Sequence, residues 1–193
     1  RCHSAHRCQL LGEIGQCLLE TCLTFEGLTM SQMDLVLERI VDVSPALLFK
    51  AWTTPQHLMP WFCPLPYRTV ECEIDLQPGG QFFVQMVDPE GNKLPANSGC
   101  YLEIVPDRKI VWTSAMGPGY RPHPPGSAPW FFTAEILLEP HGQGGCRYVA
   151  RAIHSTVEDA QKHEQMGFSK GWGVVFDQLV AYVKSTPMTV DLA

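Results

Sequence analysis

From Tyr67 to His154 the chain is cut into short runs rich in β-branched and aromatic residues, each joined to the next by a compact turn, and only one long helical stretch follows. That succession constrains the fold more than any other feature. Tyr67–Leu76 leads into Gln77-Pro78-Gly79-Gly80, and Gln81–Val87 into Asp88-Pro89-Glu90-Gly91-Asn92. Ser98–Val105 and Lys109–Ala115 flank Pro106-Asp107-Arg108. Trp130–Glu139 and Cys146–His154 flank Pro140-His141-Gly142-Gln143-Gly144-Gly145. Connections this short join antiparallel neighbours, because a parallel pair needs a long crossover.

Ahead of these runs, Asp34–Val43 alternates apolar and polar residues and reads as a strand with one buried face. Ser44 at an N-cap and Pro45 behind it start a short helix over Ala46–Thr53, and Thr54-Pro55 starts a second over Gln56–Trp61. Pro60, Pro64 and Pro66 end helical structure there. Gly117–Pro129 is dense in Pro and Gly and reads as a long surface loop with neither strand nor helix. Thr156–Lys184 reads as one long helix, capped by Thr156, with Glu158 and Asp159 in its first turn. Its apolar face is drawn by Met166, Val174, Phe176, Leu179, Val180 and Val183.

The resulting class is α+β, in the order strand, two short helices, six strands, long helix. A curved antiparallel sheet of about seven strands must cover its apolar face, and only the last helix is large enough to do so. The expected architecture is therefore a sheet wrapped around a C-terminal helix, with two short helices closing one end. One domain over residues 30–185 accounts for this, with 186–193 as a loose tail. Residues 1–29 read as an extension, loose or artefactual, since the first methionine is Met30.

Charge narrows the partners. Fourteen Lys and Arg against twenty Asp and Glu leave a net charge of −6, which argues against nucleic acid and anionic membranes. No run of ~18 apolar residues is present, so no membrane span is expected. Eight cysteines without a CxxC pair read as reduced thiols of a cytoplasmic protein. Cys2, His3, His6 and Cys8 match no common zinc spacing, and there is no HExxH, so neither a metal site nor a cofactor is expected.

Four motifs then carry a resemblance. Ala51-Trp52-Thr53-Thr54-Pro55-Gln56-His57-Leu58 follows a strand, and Asp75-Leu76-Gln77-Pro78-Gly79-Gly80 forms a turn. Gly99-Cys100-Tyr101-Leu102-Glu103-Ile104 reads as a strand, and Met166-Gly167-Phe168 with Gly171-Trp172 lies in the final helix. Together they resemble the START-like, helix-grip superfamily (SRPBCC proteins), in the branch of the C-terminal domain of the heat-shock chaperone ATPase activator and of calicheamicin self-sacrifice proteins. The turn departs from the family pattern in having Gln77 where Arg is usual. The resemblance implies a helix-grip fold with some cavity between sheet and helix, and makes a homodimer plausible. The chaperone activator carries a separate N-terminal domain for which this chain has no room, so a chaperone partner is not expected.

The candidate site follows from side chains on inward faces. Alternation puts Phe82, Val84 and Met86 on one strand face, and Tyr148, Ala150, Ala152 and His154 on another. Trp52, Met59, Trp61 and Phe62 come from the short helices, Trp112, Trp130 and Phe132 from later strands. Met166, Gly167, Trp172 and Phe176 come from the last helix. All but Ala150, Ala152 and Trp130 are taken as candidate ligand contacts for a hydrophobic small molecule; a filled core is the plainer reading of the same residues. Gly167, Gly171 and Gly173 each cost a helix interior roughly 1 kcal/mol, so they mark either close packing or room for a ligand.

Catalysis finds thinner support. His154 and Glu103 are the candidate acid/base pair of a polyketide cyclase or dehydratase type of enzyme, which needs both in the pocket. Strict alternation puts Glu103 on the face of Tyr101, where a partner such as Arg39, Arg147 or Arg151 would be needed; an exposed ion pair is the plainer reading. His57 and His163 share the chemistry of His154, with hydrogen-bonded or surface imidazoles as the simpler account. Cys63 reads as a small hydrophobe. Gly79 and Gly80 read as a turn needing positive φ, with Asp75 bonding local backbone, and not as a phosphate cradle. A third possibility is an interaction module presenting Tyr120, Arg121 and His123 on the Gly117–Pro129 loop.

Overall fold

The computed structural model describes residues 32–188. The extension at 1–29, its four potential metal ligands and the end of the tail lie outside the described residues. Nine strands and four helices follow in order: β1 (Asp34–Val41), α1 (Pro45–Thr53), α2 (Pro55–Leu58), β2 (Arg68–Ile74), β3 (Gln81–Val87), β4 (Asn97–Val105), β5 (Lys109–Thr113), β6 (Met116–Gly117), β7 (Arg121–Pro122), β8 (Phe132–His141), β9 (Gly145–His154), α3 (Val157–Gln165) and α4 (Phe168–Ser185). Seven strands make one antiparallel sheet in the order β1-β9-β8-β5-β4-β3-β2. The chain is α+β with a curled sheet and a long C-terminal helix, which is the helix-grip arrangement.

Local signals account for the element ends. The Ser44 hydroxyl accepts from the Leu47 amide at 3.4 Å, with Pro45 opening α1. Thr156 caps α3 through the Asp159 amide at 3.1 Å. Gly79 sits at φ +79°, as the turn before β3 requires. Gly80 has no positive φ, contrary to expectation. Its constraint is proximity, since a Cβ there would lie 2.1 Å from the Asp75 carbonyl oxygen. The Asp75 carboxylate accepts from the Gln77 side-chain amide at 2.9 and 3.0 Å, so it ties the turn through a side chain instead of through backbone.

Two elements differ from the sequence-based expectation. The Pro/Gly-rich segment is not wholly irregular. Positive φ at Gly119 (+69°) and Tyr120 (+59°) folds it back into the β6–β7 ribbon, and the Gly119 amide donates to the Gly79 carbonyl at 2.8 Å. The Tyr120 ring is thereby laid on Gly79, where an added Cβ would meet it at 2.8 Å. The long C-terminal helix is broken: Gly167 at φ +101° separates α3 from α4. Met166 (72% exposed) and Val174 consequently leave the buried face, which Phe168, Phe176, Leu179 and Val183 form.

The concave face of the sheet is the core. Ala134, Ile136 and Leu138 on β8 and Ala150 and Ala152 on β9 are wholly buried in one core with α1 and α4, with Leu37, Ile110 and Trp112 beside them. The outer face carries charge. Asp34 (β1), Arg151 (β9), Glu135 (β8), Lys109 (β5) and Glu103 (β4) form a continuous row across five strands, with Lys109 to Glu103 at 2.8 Å and Lys109 to Glu135 at 3.5 Å. A second row joins Glu38, Arg147 and Glu139. No described helix is long and apolar enough to cross a membrane.

Leu179 is the fully buried helix residue in the sheet's hollow. Leu179→Ala is expected to lower unfolding stability by about 2–5 kcal/mol, read from urea midpoints. A loss under ~1 kcal/mol would mean that α4 is not the main cover of the sheet.

Candidate functional site

A cavity of 380 Å³ lies between the concave sheet, the segment after α1 and the start of α4. Trp52 reaches it from α1, with Trp61, Phe62 and Pro64 from the stretch after α2. The sheet contributes Met86, Asn97, Trp112, Phe132 and Tyr148. The helices contribute His163, Met166, Gly167, Phe168, Gly171, Trp172, Val175 and Phe176. No carboxylate, lysine or arginine is among these described lining residues. Met166 is both a lining residue and largely exposed, which places the mouth at the break between α3 and α4.

Aromatic rings set the wall. Trp52 meets Trp61 edge-on at 4.9 Å and Phe62 at 5.8 Å; Trp112 meets Phe132 at 5.4 Å; Phe168 meets Trp172 at 4.7 Å. The indole N–H groups of Trp61 and Trp112 are buried with no acceptor among the described residues, an arrangement folded proteins seldom tolerate. Burial pushes the Tyr148 phenol far up, so its hydroxyl stays neutral.

Gly171 has a clear reading. A Cβ built there meets nothing within 4 Å, and the residue lines the cavity, so its missing side chain leaves space and does not serve tight packing. Gly173 would make only an ordinary contact with Arg39 at 3.9 Å.

Not every candidate from the sequence reaches the cavity. Phe82 and Val84 are core residues behind it; Phe82 stacks on Trp112 at 4.5 Å and supports the wall from outside. Met59 caps α2 half-buried and is not a lining residue. Glu103 is on the outer face, held by Lys109. A β-bulge between Tyr101 and Glu103 breaks the alternation that would have turned its carboxylate inward. His154 is buried but lies behind His163, so the supposed acid/base pair is not brought together. His57 is spent on the Tyr182 hydroxyl at 2.8 Å. Cys63 is buried and its thiol pushed up to about 11 by desolvation, which leaves it unreactive. No cluster of metal-ligating side chains occurs among the described residues.

Pro64, Asn97, Phe168, Gly171, Val175 and His163 line the cavity without having been candidate contacts, and His163 is the titratable one among them. Its Nδ1 lies 2.9 Å from Nε2 of His154, whose Nδ1 lies 3.0 Å from the Met33 carbonyl. Four rings surround the His163 imidazole: Phe132 at 5.2 Å, Phe168 at 5.3 Å, Trp130 at 5.9 Å and Trp172 at 6.2 Å. Desolvation, helped by the charge His154 would carry, lowers its pKa to about 4 against a smaller opposing pull from Glu164. His163 is therefore neutral at physiological pH.

Comparison with known proteins agrees with the fold. The family described as "Activator of Hsp90 ATPase homolog 1-like protein" matches residues 42–184. A crystal structure of a protein from Nitrosomonas europaea is 42% identical, covering 80% of this chain and 96% of that one, with a TM-score of 0.74. A solution structure from Arthrobacter aurescens is 17% identical over 82% and 90% of the two chains, TM-score 0.69. A crystal structure of a protein from Chromobacterium violaceum is 24% identical over 79% and 97%, TM-score 0.59. No curated protein matches.

An imidazole with a depressed pKa binds fewer protons in the fold than when unfolded. Its contribution is complete above the ordinary value of 6.5 and is lost as pH falls towards 4. The loss amounts to at most ~3 kcal/mol at about 1.4 kcal/mol per pH unit. The stability of the protein, followed by urea unfolding from pH 7 to 4, should fall more steeply than that of His163→Gln. Parallel curves would refute the assignment.

Proposed function

The chain belongs to the Activator of Hsp90 ATPase homolog 1-like family, and we propose that it binds an apolar, largely aromatic small molecule in the cavity between the sheet and α4. The observation that carries this is Gly171. A helix gives up roughly 1 kcal/mol to hold glycine there instead of alanine, yet nothing packs against the position. The space gained belongs to a cavity walled by Trp, Phe and Met side chains. A planar ligand entering it would replace water against aromatic faces, and apolar burial at about 25 cal/mol per Å² would provide the affinity, less the costs of immobilisation.

A cyclase-type enzyme would need two titratable groups converging on the ligand, and the described lining offers only His163 and a neutral phenol. An interaction module centred on Tyr120, Arg121 and His123 would need those groups free. Tyr120, although 48% exposed, lies over Gly79, and His123 stacks with Phe131 at 6.1 Å. Ligand binding is the reading these placements favour.

N-phenyl-naphthylamine, an uncharged fluorophore that brightens in apolar sites, tests it. Saturable binding to the full chain is expected, with Gly171→Leu weakening it about tenfold or more while circular dichroism stays unchanged; tenfold corresponds to about 1.4 kcal/mol. Absence of saturable binding, or the same affinity in the variant, would remove the cavity as the site.

A further inference from the structure

An apolar cavity has no need of a histidine in its wall, and hydrogen-bond logic fixes what that histidine presents. The Met33 carbonyl oxygen can only accept. It receives the His154 backbone amide at 3.0 Å, and the His154 Nδ1 at 3.0 Å must therefore also be a donor. A neutral imidazole with its proton on Nδ1 keeps a lone pair on Nε2. That Nε2 faces Nδ1 of His163 at 2.9 Å, so His163 Nδ1 in turn donates. The remaining lone pair of the relay is on Nε2 of His163. This ring is 8% exposed, lines the cavity, and is surrounded by aromatic rings. Its Nε2 has no hydrogen-bond donor among the described residues.

We propose that His163 Nε2 is a fixed hydrogen-bond acceptor for the ligand, so that the cavity selects aromatic molecules bearing a hydroxyl or N–H donor, phenols above all. The inference rests on the reading that the cavity binds a small molecule. Two further features point to this class. The wall presents aromatic edges and faces at several angles, surroundings that suit an aromatic ring. No cationic side chain lines the cavity, so an anion such as a carboxylate would enter without a counter-charge. A phenol brings a neutral, strongly donating O–H to an acceptor that has no protein donor among the described residues.

The experiment compares naphthol with its methyl ether, which has nearly the same shape and no donor. Both are titrated by calorimetry into the full chain and into His163→Phe, at neutral pH. Wild type is expected to prefer naphthol by about five- to tenfold, the range of one net hydrogen bond. In His163→Phe the preference should shrink to less than about twofold, with methyl ether binding retained. Equal affinities in wild type would overturn the inference and leave the cavity reading intact, with water as the partner of Nε2. A preference that survives in His163→Phe would also overturn it. Binding of neither compound would overturn both. Because the variant replaces a buried residue, nitrogen-edited NMR of the wild-type imidazoles supplies a second test. His163 protonated at Nδ1, with its Nε2 signal shifted by naphthol and unmoved by the ether, supports the assignment. The opposite tautomer contradicts it.

Discussion

A single curled sheet has one concave face, and that face must be kept from water by something of matching curvature. In this protein α4 does so. Leu179, Phe176 and Val183 share one buried core with Ala134, Ala150 and Ala152 of the sheet, with α4 nearest β1 and α1 nearest β8. Tyr148 and Phe176, with ring centres 4.8 Å apart, stand where this close packing ends. Beyond them the helix starts with Phe168, Gly171 and Trp172, and packing gives way to the cavity. Core and cavity are thus two parts of one interface, separated by the side-chain sizes along one helix.

The polar content of that interface is small and ordered. Two histidines, paired with each other and ending on a backbone carbonyl, are buried in this interface. Carboxylates and guanidinium groups are kept to the outer face, where rows of opposite sign cross the strands and are worth little singly but organise the surface as networks. This division keeps charged side chains out of the described lining of the site.

Most of the fold was legible because its determinants are local. Turn residues between strands, Ser44 and Thr156 at N-caps, and period-two alternation are read within a few positions. The failures arose where parity or periodicity was broken by one residue. The bulge after Tyr101 turned Glu103 outward, a change of face that a one-residue slip always produces. The apolar spacing of the last helix ran on through Gly167, whose positive φ is a property of the chain in space. Aromatic residues were gathered into one wall largely as their strand and helix faces foretold. His154 and His163 exchanged prominence for a different reason. Alternation correctly turns His154 inward, but which of two inward imidazoles is nearer the cavity depends on the angle at which α3 lies across β9.

The interruption at Gly167 also divides the labour between the two helices. α4 is fixed by a row of buried side chains along its length, whereas α3 buries only Ala160 and His163. Regions with few apolar contacts open at the lowest free energy, so α3 is expected to exchange its amide hydrogens sooner than α4. It is also the segment that carries the imidazole and borders the mouth at Met166. The mouth of the cavity and its histidine therefore belong to the same thinly anchored helix, so a ligand bound there would add to the contacts that hold α3.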